Sequence, residues 1–245
     1  MGFFGWHHIL YIVLSTVATI VGLVLIKKYC KTEKAKRITY LSISISLLLL
    51  ILANRISVTI INPLGWRNMI PSSICIIVST IIALAVIFIR NKNHPIFHGI
   101  ILMVILGSIL TVAVPAAVTP GDPNYTGTVF EVRSIFSLIY HSVSLFLAIL
   151  LIVMLDHKPD WRKLWMLAIG YLVIIAWALF CVQVAGIPNA AGIERPLLEG
   201  TPFYWWAVGL MYLGIVLSIL VPIELIGNYI RKRRSKQDLV VKNEA

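Results

Sequence analysis

Acidic side chains are scarce: ten Asp and Glu stand against 21 Lys and Arg, and charged residues of both signs make up only 13% of the 245 positions. A soluble globular domain carries about a quarter charged residues, so that class is excluded. Cysteine is sparse too. Cys30, Cys75 and Cys181 stand singly with no CxxC pair, which indicates neither a disulfide framework nor a zinc cluster. His94 and His98 have i, i+4 spacing, but they lie beside Pro95 without a third ligand, so no metal and no cofactor is expected. Lysine is missing from the interior of the apolar runs, which excludes a retinal Schiff base. Histidine is nearly missing from their depth, where His141 alone is too little for a ceramidase-like zinc hydrolase. No self-similarity recurs at roughly 20 to 50 residues and no inverted halves are visible, which argues against solenoids and repeat-built transporters.

What the chain has is apolar length. Hydrophobic residues make up 59% and mean hydropathy is +0.92. A membrane-crossing helix needs about 20 mostly apolar residues, and seven such runs are present, roughly 8–27, 38–61, 70–89, 96–118, 132–155, 164–186 and 203–229. The expected fold is all-α: a single bundle of seven transmembrane helices over residues 1–230, followed by a basic tail over 231–245. Four basic segments fall on one side: Lys27 to Arg37, Arg90 with Lys92, Lys158 to Lys163, and the RKRRSK tail. By the positive-inside rule that side is cytoplasmic, with the N-terminus outside and the C-terminus inside. The net charge of +11 is therefore topological and no nucleic-acid partner is implied. The expected partners are membrane lipids, with the tail near anionic headgroups; no protein partner is indicated. The first run lacks a basic leader and a small-residue cleavage site, and reads as a retained anchor.

Polar residues inside the runs carry the functional signal. Arg133, Ser137, His141, Ser144 and Ala148 follow at helical spacing on the fifth run; Ser72, Cys75, Ser79 and Ala83 do so on the third. An ionisable group facing lipid is expensive, so both stripes should point into the bundle. Counted from the basic ends, Cys75, His141 and Trp177 share a level about 22 Å deep, with Asn54, Arg55 and Ser72 nearer the outer surface. The inner halves, such as LLLLIL and IIALAVIFI, are apolar. That pattern predicts a pocket open outward rather than a conduit. Pro71 is expected in the first turn of the third helix. Thr128 and Glu131 have capping-box spacing and place the start of the fifth near Thr128. Trp6, Trp66, Tyr204, Trp205 and Trp206 suggest an outer aromatic belt, and His7 and His8 an outer rim.

Each of these residues also has a purely structural reading. His141 is able to bond a neighbouring helix, Cys75 to fill space, and Arg55 to snorkel. The chemistry they would support together is acyl transfer, in which an imidazole takes the proton of a thiol or hydroxyl and returns it to the leaving group. Asn54 or Arg55 would then stabilise an oxyanion or hold a phosphate. Ser72, one turn from Cys75, is the alternative nucleophile. Arg133, Ser137, Ser144 and Trp177 complete the candidate substrate lining.

The segments FFGWHHILYIVL, IPSSICIIVS, LGSILTVAVPAAV and LIYHSVSLFLAILL resemble those of the YwaF-type bacterial integral membrane proteins, over about residues 3 to 228. They are more remotely similar to eukaryotic transmembrane acyltransferases that remodel ether phospholipids. The resemblance implies a seven-helix bundle with a helix-3 cysteine and a helix-5 histidine as the active pair in the eukaryotic branch, and His141 matches that histidine. The bacterial helix-3 pattern Pro-Leu-His-Leu-Cys is matched at Pro71 and Cys75, with Ser73 in the histidine's place, while the eukaryotic nucleophile position is closest to Ser72. Two functions follow as expectations. One is a lipid acyltransferase or hydrolase in a bacterial plasma membrane. The other is a non-enzymatic membrane protein, a transporter or receptor subunit, that holds a lipid or small solute.

Overall fold

The computed structural model describes residues 6–61, 64–113, 132–154, 156–158, 160–163, 165–195, 204–215 and a few positions between 217 and 229. The expected capping box at Thr128 and the basic tail 231–245 lie outside them. The described elements are α1 (Trp6–Tyr29), α2 (Glu33–Ile61), α3 (Ile74–Phe88), α4 (Pro95–Ala113), α5 (Val132–Val153), α6 (Trp165–Gln183) and α7 (Trp205–Ile215), with short 3-10 turns at Gly65–Met69, Trp161–Lys163 and Ala190–Gly192. No strand occurs among the described residues. The chain divides into two compact units, Met1–Trp205 and Trp206–Ala245. The second contains all of α7 but its first residue.

Five helices, in α1, α2, α4, α5 and α6, are long and apolar enough to cross a membrane; Ile74–Phe88 and Trp205–Ile215 are shorter apolar helices. The chain is thus a multi-pass helical membrane protein. At about 1.5 Å per residue, the 15 residues of α3 span only about 22 Å. Its start differs from expectation. Ser73 is the N-cap, its side chain accepting the Ile76 N–H at 3.4 Å, so Pro71 and Ser72 precede the helix instead of opening it. The cap wins because a serine hydroxyl satisfies one of the free first-turn N–H groups, which a proline two residues earlier cannot do.

Within the first unit, α5 is central, packing on α2, α4, α3 and α1. Leu147, Ala148, Leu150 and Leu151 of α5 are completely buried, as are Leu47 of α2, Ile82 and Ala83 of α3, and Val104 of α4. Helix α1 is peripheral. Its Val13, Leu14, Val17, Ile20, Val21 and Val24 are all exposed, an apolar surface suited to lipid. Two polar ties secure it: the Tyr11 hydroxyl bonds the Leu138 carbonyl at 2.6 Å and Ser142, and a His8 ring nitrogen bonds the Val112 carbonyl at 2.7 Å. His8 is therefore buried against the end of α4. The His7 side chain lies outside the description.

Helices α4 and α6 meet through glycine. A Cβ on Gly99 would lie 2.6 Å from the Met166 carbonyl oxygen, and one on Gly170 would lie 3.0 Å from the Met103 side chain. Small residues at such crossings let backbones approach closely.

At the basic end, Lys92 is 8% exposed and donates to the Val86 carbonyl at 2.9 Å and to that of Ile89, closing the C-terminus of α3. The Lys92 carbonyl in turn accepts from His157 Nδ1 at 2.8 Å. Burial holds the His157 ring below the usual histidine pKa of 6.5; nearby His98 and Lys163 push the same way, and the Lys92 carbonyl opposes them.

Two predictions follow from this packing. Gly99→Ala places a methyl against backbone that cannot step aside, so thermal unfolding in detergent should show destabilisation of about 1–3 kcal/mol. Gly214→Ala, with nothing among the described residues within 4 Å of its Cβ, should change little. For His157, the depressed pKa means the native state holds fewer protons than the unfolded chain. Its contribution is complete above about pH 6.5 and is lost as pH falls through the lower folded value. The unfolding temperature should drop between about pH 7 and pH 5, and His157→Gln should flatten that slope; identical slopes would refute it.

Candidate functional site

The polar stripe of α5 turns inward. Ser137, Tyr140, His141 and Ser144 are all buried, His141 to 2% exposure. Arg55 of α2, Ser79 of α3 and Thr111 of α4 are buried too and join them through the contacts described below; Asn54 of α2 and Ser108 of α4 are likewise buried. The group is reached from four helices because α5 packs on α2, α3 and α4 at once.

His141 Nδ1 bonds the Ser137 carbonyl oxygen, one turn back, at 2.7 Å. A carbonyl only accepts, so Nδ1 carries the hydrogen and Nε2 carries the lone pair. Nε2 is buried and has no hydrogen-bond partner among the described residues; the same holds for Arg55 Nε. Tyr140 stacks on the imidazole with centroids 4.2 Å apart. Its phenol hydrogen-bonds Ser137 and lies within electrostatic range of both the Arg55 guanidinium and the Cys75 thiol. Ser144 donates to the Tyr140 carbonyl at 2.7 Å and shares a hydrogen bond of 2.8 Å with Ser79 across the α3–α5 contact.

The Cys75 thiol is turned toward α4. Its Sγ lies 3.7 Å from Thr111 Oγ1, and that hydroxyl donates to the Gly107 carbonyl at 2.8 Å, leaving its oxygen free to accept from sulfur. The resting thiol is therefore hydrogen-bonded to Thr111 and not to the imidazole. Cys75 is the second residue of α3, at the helix end whose free N–H groups carry partial positive charge.

Other expected site residues are placed differently. Ser72 sits off the helix in the extended lead to α3, half-buried, its carbonyl accepting the Ala191 N–H at 2.8 Å. It does not share the Cys75–Ser79–Ala83 face. The Trp177 indole donates to the Pro71 carbonyl at 2.7 Å and stacks on Phe180. At 39% exposure it braces the α3 lead from α6. Arg133 lies in the first turn of α5, with its side chain outside the described residues. No group of three or more His, Cys, Asp or Glu able to hold a metal occurs among the described residues.

A family model, that of the TMEM164 family, matches residues 3–222. The chain belongs to the TMEM164 family. The matched span contains every residue of the polar group. No curated protein and no solved structure matched the chain.

Two members of the group, Tyr140 and Thr111, were missed in the sequence, and each carried some signal. Tyr140 falls three residues after Ser137 and four before Ser144, on the same face, but an aromatic in a membrane run reads as packing. Ser108 and Thr111 share a face of α4 that was unassigned because its other residues are apolar all round. The Ser79–Ser144 bond supplies a test. In a double-mutant cycle with Ser79→Ala and Ser144→Ala, unfolding in mixed micelles should show a coupling of about 0.6 kcal/mol, typical of interhelical bonds in membranes. Strict additivity would show that the two hydroxyls are not bonded.

Proposed function

We propose that this family member is a membrane-embedded lipid acyltransferase or lipid hydrolase, with His141 as base, Cys75 as nucleophile and Arg55 as the group that receives developing negative charge. The observation that carries the reading is the buried imidazole of fixed tautomer, its Nε2 lone pair unpartnered among the described residues, in one polar cluster with an equally unpartnered Arg55 Nε. Buried polar atoms normally have partners, and a pair left open inside a bundle suits a ligand or a reaction.

In the proposed cycle, the Cys75 side chain turns from Thr111 toward the imidazole and His141 Nε2 takes its proton. The thiolate adds to an ester carbonyl, whose oxygen gains charge facing Arg55. Collapse breaks the C–O bond, and the imidazolium protonates the departing alkoxide. The acyl group is then a thioester on Cys75. Nε2 next deprotonates an acceptor hydroxyl, which attacks the thioester; the C–S bond breaks and the thiolate regains its proton. A lipid alcohol as acceptor gives transfer, and water gives hydrolysis. Ser72 is the alternative nucleophile, its place in the α3 lead bringing a hydroxyl to the mouth of the same helix. The similarity to YwaF-type proteins and to the ether-phospholipid acyltransferases supports this reading. Asn54, Arg133, Ser137, Ser144 and Trp177 are proposed as substrate lining.

The same proposal includes seven crossings, an outer N-terminus, a cytoplasmic C-terminus and a bacterial plasma membrane. The support for the topology is the alternation of strongly basic loops with loops whose few Arg residues are balanced by Asp and Glu. The thiol's bond to Thr111 favours a second reading, a non-enzymatic protein that holds a lipid or small solute against the polar cluster.

The two readings separate by experiment. A thiol-reactive and a serine-reactive lipid probe should label the wild type, labelling should be lost in Cys75→Ala or Ser72→Ala according to the nucleophile, and it should fall at least about 100-fold in His141→Ala. Labelling unaffected by His141→Ala would remove the enzyme reading. Lipid profiles of a deletion strain should show the substrate accumulating.

A further inference from the structure

At the basic end of the first unit, a cleft of about 310 Å³ is lined by Glu33, Lys36, Arg37, Tyr40, Arg90, Lys92 and Asp156, with Val86 and Asn91. Its acids are occupied. Glu33 holds Lys36 Nζ at 2.9 Å, and Asp156 accepts the Tyr40 hydroxyl and meets the same ammonium at 3.5 Å. One lysine thus absorbs both carboxylates. Arg37 and Arg90 are left with no hydrogen bond or ion pair among the described residues. Arg37 is half-buried and within Coulombic range of the buried Lys92 ammonium, a like charge. Burial first and Arg37 second bring Lys92 down to about 8, partly offset by Asp156.

Basic residues at helix ends are expected wherever a chain obeys the positive-inside rule. Topology alone asks only that they lie on that side, free in solvent or among headgroups. It does not ask that cations from α2 and from the α3–α4 loop converge on one concave site, one of them half-buried against another like charge. Two guanidinium forks with planar donor sets match the geometry of a phosphate, and a phosphate between them would offset the repulsion among the converging cations.

We propose that this cleft binds a phosphate group, with Arg37 and Arg90 as its ligands and Lys92 as a fixed positive charge behind them. The site is separate from the His141 cluster and does not depend on the acyl-transfer reading. A phosphodiester of an anionic lipid headgroup and free inorganic phosphate present the same chemistry.

The test uses the full chain in nanodiscs of phosphatidylcholine. One arm adds phosphatidylglycerol; a second adds inorganic phosphate against chloride at equal ionic strength. Affinity is read from thermal protection and from lipid retained in native mass spectrometry. Arg37→Gln with Arg90→Gln should weaken the effective arm by roughly tenfold or more. Lys27→Gln with Lys28→Gln, at the last turn of α1 and outside the cleft, should leave it unchanged. Arg37→Lys with Arg90→Lys should fold like the wild type and recover only part of the affinity, because a point charge replaces a fork. Protection by phosphatidylglycerol alone identifies a lipid headgroup, and protection by phosphate alone a soluble ligand. Equal losses in the cleft pair and the α1 pair, or no protection in either arm, overturn the site.

Discussion

The bond from His141 Nδ1 to the Ser137 carbonyl depends on a geometric fact about α5: residues four apart on a helix stand over one another, so a ring at 141 is able to reach the oxygen at 137. That bond sets the proton on one nitrogen and aims the other, which an imidazole free to rotate would not do. The rest of the arrangement serves to keep this ring dry and oriented. Tyr140 stacks on it, Ser144 ties α5 to α3 through Ser79, and α2 brings Arg55 to the same interior. Removing lipid and solvent from around the ring is therefore the work of four helices, and α5 must be central for this to be possible.

Much of this was legible in the sequence, and the parts that were not have identifiable causes. Helical spacing alone placed Ser137, His141 and Ser144 on one face, since a polar stripe in an apolar run has only the interior to face. Burial of Asn54 and Arg55 was harder to read, because a long side chain near a helix end has snorkelling as an alternative. Ser72 was misjudged through a boundary: the run of apolar residues continues past the N-cap, and only the hydroxyl of Ser73 marks where the helix begins. The partner of Cys75 was out of reach, as Thr111 lies 36 positions away on a helix whose register nothing local specifies. The bond by which His8 ties α1 to the end of α4 was likewise out of reach, since its partner is a backbone carbonyl 104 positions away.

The two ends of the first unit solve different problems with related means. Lys92 closes the end of α3 by giving two hydrogen bonds to carbonyls that the helix leaves unpaired, and His157 then reads the backbone of Lys92 from the next loop. At the other end the backbone before α3 is closed from α6 and the segment that follows it, by Trp177 on Pro71 and Ala191 on Ser72. A single short helix is thus supported at its start by residues distant in sequence and at its end by Lys92 of the loop that follows it, and the polar cluster lies between.

The shortness of α3 has a further effect on its surroundings. In the proposed seven-crossing arrangement, a helix covering about 22 Å in a hydrocarbon layer about 30 Å thick leaves a mismatch of several ångströms. Hydrophobic mismatch is accommodated by local thinning of the bilayer or by irregular backbone shielded within protein. Both bring the start of α3, and with it Cys75, nearer to the headgroup level. The truncated helix is then a dent in the apolar barrier, and under the proposed acyl-transfer reading it would lower the work of bringing a polar linkage to the depth of the thiol.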